Sequence, residues 1–205
     1  MRLTGPVAAG RFTTAPRPEF TGEESVGSTL TATTPPWSGD AALAYRWYAD
    51  GKAIAGATSA TYTLTAADRG KKVRVIVTGT RDGFTTRSLA SVRITGPVAA
   101  GRFTTAPRPE FTGEESVGST LTATTPPWSP SARFTYQWYA DGRAVRGATR
   151  TTYTLTTADR GKKVRVIVTG TRDGFTTRSL ASVRITAGVT AKSAATSDTT
   201  APTDD

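Results

Sequence analysis

The chain has 205 residues, with 26 Lys and Arg against 16 Asp and Glu for a net charge of +10, and it is 37% hydrophobic, a globular rather than a disordered balance. It contains no Cys, His or Asn, which excludes disulfides, Cys or His metal sites, nucleophiles activated by imidazole and N-linked glycans. The positive charge favours phosphates, anionic glycopolymers and acidic surfaces as partners, and no apolar run approaches the ~18 residues needed to span a bilayer, so membrane insertion is not expected.

Residues 4–94 and 95–185 align without a gap at an offset of 91 residues; 79 of the 91 positions are identical, and all 12 differences fall between 39 and 66 of the first copy. Each copy is long enough for its own core. Met1-Arg2-Leu3-Thr4 lines up with Val92-Arg93-Ile94-Thr95, so residues 1–15 are expected to hold the end of a preceding repeat and a linker, with no signal peptide. The rest divides into a first repeat (16–94), a linker (95–108) in which Pro97 and Pro107 restrict hinge motion, a second repeat (109–186) and a flexible tail (187–205) of Ala, Ser, Thr, Asp and Pro.

Within a copy, short strands are expected at 19–22 and 28–33. Leu43, Tyr45 and Trp47 then alternate with Ala44, Arg46 and Tyr48 as a half-buried strand. Asp50-Gly51 reads as a tight turn, and 61–64 as another strand. Thr65 to Asp68 reads as one helical turn with Asp68 capping backbone donors. Val73, Val75 and Val77 alternate with Lys72, Arg74 and Ile76, Asp82-Gly83 makes a second turn, and Ala90, Val92 and Ile94 are expected to point inward from the last strand. The copies support this phase, because Leu43 and Ile54 change conservatively to Phe134 and Val145, whereas Ala42 and Arg46 change in character to Arg133 and Gln137. About seven short strands without a long helical pattern predict an antiparallel sandwich with Trp47 and Trp138 in the cores.

Val26-Gly27-Ser28-Thr29-Leu30-Thr31, Trp37, Tyr45-Arg46-Trp47-Tyr48-Ala49-Asp50-Gly51, Gly56-Ala57-Thr58, Tyr62-Thr63-Leu64-Thr65-Ala66-Ala67-Asp68 and Val77-Thr78-Gly79-Thr80-Arg81-Asp82-Gly83-Phe84 together resemble a bacterial immunoglobulin-like tandem repeat domain of actinobacterial surface and secreted proteins. The resemblance covers both copies and implies two immunoglobulin-like sandwiches in an extracellular or cell-surface spacer, adhesion or accessory-binding role. Fold alone does not choose among these.

Few residues are candidates for chemistry. Trp37 and Trp128 follow Pro-Pro in a loop, where each either caps the core or offers a sugar-stacking face. Arg46, Lys72, Arg74 and Arg93 are expected to share an outer sheet face with Tyr48, and Lys163, Arg165 and Arg184 with Tyr139, as a cationic strip that either draws polyanions or protects a β-prone strand from edge pairing. Glu23, Glu24, Asp50, Asp68 and Asp82 lack calcium-loop spacing and read as turn and cap residues. The copies differ in charge: the first has 11 Lys and Arg against 7 Asp and Glu (+4), the second 13 against 6 (+7). Ala55 and Ser59 become Arg146 and Arg150, moving charge toward Asp141, so the second copy is expected to bind anions more tightly.

These observations predict a non-catalytic stalk, fibre or adhesion spacer without cofactor or metal, whose partners are neighbouring immunoglobulin-like repeats or copies of itself, with an anionic cell-wall polymer or glycan as a further partner. Nucleic acid is not expected, because no nucleic-acid motif accompanies the charge. The alternatives are a glycan- or polyanion-binding accessory module of a secreted hydrolase and an immunoglobulin-like virion decoration.

Overall fold

The computed structural model describes residues 7–192 and is all-β, with two tandem immunoglobulin-like antiparallel sandwiches joined by a short Pro- and Gly-containing segment. The chain divides into one unit of residues 1–102 with 173–176 and another of 103–172 with 177–205. The first repeat contains β1 (Glu19–Thr21), β2 (Thr29–Thr33), β3 (Ala42–Ala49), β4 (Lys52–Ala53), β5 (Thr61–Thr63), a 3-10 turn (Ala66–Asp68), β6 (Val73–Thr80) and β7 (Arg87–Ala90). The second contains β8 (Glu110–Thr112), β9 (Thr120–Thr124), β10 (Arg133–Ala140), β11 (Arg143–Ala144), β12 (Thr152–Thr154), a 3-10 turn (Thr157–Asp159), β13 (Val164–Thr171) and β14 (Arg178–Ala181).

In each repeat a three-stranded sheet faces a four-stranded one, in orders β1-β2-β5 and β4-β3-β6-β7 and their counterparts. That is an immunoglobulin-like arrangement in which the fourth strand joins the sheet of the third, sixth and seventh. The register places Tyr45 opposite Val77, Trp47 opposite Val75 and Ala49 opposite Val73, so one set of alternating side chains from β3 and β6 faces Phe20, Leu30 and Ala32 of the other sheet. Trp47 and Trp138 are completely buried, each meeting a Phe ring edge-on and stacking on a Tyr ring. Between β3 and β4 the chain reverses over Asp50 (φ 44°) and Gly51 (φ 78°), both left-handed as a two-residue primed hairpin requires. The Asp50 carboxylate then accepts the Lys72 N–H at 2.9 Å, tying this hairpin to the start of β6.

The expected phase of the last strand is wrong. Val92 and Ile94 are exposed at 66% and 47%, and Val183 and Ile185 at 63% and 46%, whereas Ser91 and Thr95 are buried. Beyond Ala90 the chain leaves regular pairing but remains bonded to β6, with Ser91 and Thr95 donating their N–H groups to the carbonyls of Val75 and Val73 at 2.8 and 2.9 Å. Their hydroxyls accept the returning N–H groups of Val75 and Val73 at 3.4 and 2.8 Å. Short hydroxyl side chains must occupy the inward positions to satisfy these buried donors, which turns the intervening apolar residues toward solvent.

The linker and tail also depart from expectation. Val98 is 2% exposed inside the first core. Its N–H donates to Lys71 O and its carbonyl accepts from Gly70 N, while Ala99 exchanges backbone bonds with Glu24 and Val26. Val189 and Thr190 repeat the arrangement against Gly161, Lys162, Glu115 and Val117. Residues 95–99 and 187–190 are therefore parts of the sandwiches they follow, while 193–205 of the expected tail lie outside the described residues. Val98→Ala is expected to destabilise the first repeat by about 2 kcal/mol through lost burial and a small cavity. Chemical denaturation resolved by repeat checks this: a change in the first repeat below about 0.5 kcal/mol, the ordinary surface-substitution range, would contradict it.

Candidate anion-binding surfaces

The outer face of the β4-β3-β6-β7 sheet gathers part of the expected cationic strip. Tyr48 on β3 lies directly opposite Arg74 on β6, and Arg46, two residues earlier on β3, lies opposite Ile76. Lys72 is exposed just before β6. In the second repeat Tyr139 lies opposite Arg165, whose guanidinium carbon is 6.0 Å from the ring centroid, and Lys163 is exposed beside them. The Nε atoms of Arg74 and Arg165 are buried without a hydrogen-bond partner, so these side chains lie along the sheet rather than standing free of it. Gln137, at the position of Arg46, donates to the carbonyls of Trp138 and Val145 at 3.0 and 2.7 Å instead of extending the strip.

Arg93 and Arg184 do not belong to this strip. Arg93 forms an ion pair with Glu24, donates to Phe20 O at 3.3 Å and lies 5.1 Å over the Phe20 ring. Arg184 does the same with Glu115 and Phe111. These arginines clip the irregular last segment to the first strand, a consequence of the altered phase after β7 and β14. Glu24 and Glu115 also accept the N–H of Gly96 and Ala187 at 2.7 and 2.8 Å, so the same carboxylates hold the ends of both last segments.

Trp37 and Trp128 close the ends of the cores and offer no platform for a sugar ring. They are 6% and 4% exposed, and each donates its indole N–H to a proline carbonyl, of Pro16 and Pro107, at 3.2 Å. Phe12 and Phe103 meet them edge-on at 5.5 and 5.1 Å. A Cβ placed on Gly79 or Gly170 would fall 2.4 or 2.3 Å from the Trp ring, so glycine permits the strand to pass beneath the indole.

A second surface lies at the hairpin end of each sandwich. In the second repeat a groove of about 710 Å³ opens between β11, the loop after it and the 3-10 turn, with Arg143, Arg146 and Lys162 on its walls and Val145 among its apolar lining. The corresponding groove of the first repeat is about 320 Å³ and has Lys52, Ile54 and Lys71 at the matching places. Both grooves have a polar end built from a buried carboxylate. Asp159 Oδ2 accepts from Tyr153 Oη, Thr156 N and Thr156 Oγ1 at 2.7, 2.8 and 2.7 Å, and Asp68 repeats the set with Tyr62 and Thr65. This is the expected cap, with a tyrosine added. Burial, then the bond to the carboxylate and its charge, pushes the Tyr62 and Tyr153 hydroxyls up to about 12 against a small opposing effect of the threonine bond. The sequence marked pieces of this surface, Arg146, Asp141 and the Asp68 cap, but did not join them into a groove, because its walls come from separate strands and a turn.

Among the described residues no three carboxylates gather as a metal site, and no helix is long and apolar enough to cross a membrane. No family model matches the chain, and no curated protein matches it. Solved structures with distant likeness include a Ca2+-stabilized adhesin that helps an Antarctic bacterium reach out and bind ice, with a TM-score of 0.35 and 11% identity over 87% of this chain and 49% of that chain. This chain thus spans about half of the adhesin's length. The amphioxus IgVJ-C2 molecule has a TM-score of 0.32 at 16% identity, covering 86% of this chain and 97% of that one. Fibronectin(III)-like modules of Clostridium thermocellum CbhA have a TM-score of 0.27 at 13% identity, covering 91% and 92%. These likenesses are too loose to assign a role, and the fold rests on the strand order and register given above.

Proposed function

We propose that the chain is a non-catalytic structural and interaction module, two repeats of an extracellular immunoglobulin-like array that serves as a stalk, fibre or adhesion spacer. The observation that carries this reading is the use of the residues after each sandwich to complete it. Val98 and Val189 are both 2% exposed, each between two backbone edges of the sandwich it follows. A linker whose first half is part of the preceding core transmits tension through paired backbone rather than through slack chain, a property suited to a load-bearing spacer. The carboxylates support the absence of catalysis: Asp50, Asp68, Asp141 and Asp159 are each engaged in holding a turn.

Stretching single molecules of the full chain tests the proposal. Two unfolding steps are expected, each releasing about 30 nm, because ~91 residues extend by at most ~3.3 to 3.6 Å apiece. A chain that yields smoothly at low force without discrete steps would defeat the spacer reading, as would turnover of a polysaccharide or peptide by the purified chain.

A further inference from the structure

We propose that the groove of the second repeat is a binding site for an acidic polysaccharide, with Arg143 and Arg146 taking the sugar carboxylates, and that the matching groove of the first repeat lacks this capacity. The inference is independent of the spacer reading, since a stalk with or without a ligand would stretch alike.

Its first support is where the two copies differ. Of 12 differences in 91 aligned positions, three fall together on this groove: Lys52, Ile54 and Ala55 become Arg143, Val145 and Arg146. The rest of the lining is unchanged, including the Tyr153 and Asp159 pair and Lys162. The changes act in one direction. Val145 is one methylene smaller than Ile54, the two arginines place planar forks where a lysine and an alanine stood, and the groove is about 710 rather than 320 Å³. Core repair would have altered buried residues, yet Arg143 and Arg146 are exposed and, among the described residues, no acidic partner lies within ion-pairing distance of either. Guanidinium groups suit carboxylates because two parallel N–H donors match two oxygens.

The class of polymer follows from what else lies in the groove. Asp141 also lines the groove, with Oδ1 accepting the Lys163 N–H at 2.9 Å, so a carboxylate shares the lining with the cationic donors. Such a surface matches a chain bearing acid groups and hydroxyls together, the acid groups accepting from the arginines and the hydroxyls donating to the carboxylate, whereas a polyphosphate has no hydroxyls to offer the carboxylate. The Tyr153 ring is stacked on Trp138 at 5.8 Å and its hydroxyl is bonded to Asp159, so one face of the ring and its polar tip are already engaged within the repeat. An open groove also allows a long chain to pass through rather than terminate in it.

The test is calorimetric titration of the full chain with oligogalacturonate of defined length at about 0.15 M salt, where exposed charges are screened beyond ~8 Å. One oligomer per chain is expected, and Arg146→Ala should weaken binding by about tenfold with no change in thermal midpoint, the loss expected for one charge-assisted bond. Introducing Lys52→Arg with Ala55→Arg in the first repeat should raise the stoichiometry from one to two. Linear polyphosphate of matched charge should bind more weakly than the uronate. The proposal is overturned if Arg146→Ala binds as the wild type does, if the wild type already takes two oligomers, or if polyphosphate binds equally well, an outcome that would identify plain counterion attraction.

Discussion

Trp138→Ala is expected to lower the stability of the second repeat by about 4 kcal/mol and leave the first repeat at its wild-type midpoint. The side chain is completely buried between the two sheets. The Phe111 ring meets it edge-on at 5.6 Å, Tyr153 stacks on it at 5.8 Å, and its indole N–H donates to Arg150 O at 3.0 Å. Truncation removes both ring contacts, leaves a cavity the β-strands cannot collapse into and takes the indole donor from the Arg150 carbonyl. A domain of this size holds roughly 5 to 14 kcal/mol in total, so a large share of its reserve is lost. The corresponding fall in midpoint is about 20 °C. Differential scanning calorimetry of the full chain checks both parts. A shift below about 5 °C would mean that Trp138 contributes little to the core, and equal losses in both repeats would mean that they melt as one unit.

The parts of this fold that were legible in the sequence are those where alternation and duplication say the same thing. Val73, Val75 and Val77 are wholly buried, and Trp47 sits opposite Val75 as the two-residue period requires. The turn at Asp50-Gly51 and the cap at Asp68 were readable for another reason: each needs a residue type that few alternatives supply. What failed was the period applied where the backbone is no longer a regular strand. Val92 and Ile94 alternate as an inward pair should, yet Ser91 and Thr95 occupy the core because their hydroxyls accept the N–H groups of β6. That error displaced Arg93 and Arg184 to the wrong surface. The burial of Val98 and Val189 was hidden for the opposite reason. A single valine among Gly, Pro and Ala carries no pattern, and its place is decided by two edges distant in sequence, Glu24 to Val26 and Gly70 to Lys71.

The strongest pH dependence is expected at the cap of the second repeat, where one buried oxygen supports a turn, a strand end and one wall of the groove. Burial by itself would raise the Asp159 carboxyl, but the bonds from Tyr153 and from Thr156 N and Oγ1, together with the nearby Lys162 charge, outweigh it and hold the group below its ordinary 3.8. A carboxyl depressed in the folded state contributes stability above its unfolded value, and that contribution is lost as pH falls through the lower folded value. Tyr153 has the opposite sign. Raised to about 12 from 10.0, it contributes fully below 10 and the contribution is lost as pH climbs toward 12. The second repeat should therefore show a stability plateau between these limits, with an acid limb set by Asp159 and an alkaline limb set by Tyr153. Asp159→Ala should lower the plateau by about 3 kcal/mol, since it leaves the Tyr153 hydroxyl and the Thr156 N–H without their acceptor. It should also flatten the acid limb of that repeat, while Tyr153→Phe flattens the alkaline limb and preserves the acid one in reduced form. Urea midpoints of the full chain across the pH range, resolved by repeat, measure all three. If Asp159→Ala unfolds at the wild-type midpoint near neutral pH, the carboxylate is not what holds the turn, and the groove wall that includes Lys162 must then be supported by the backbone alone.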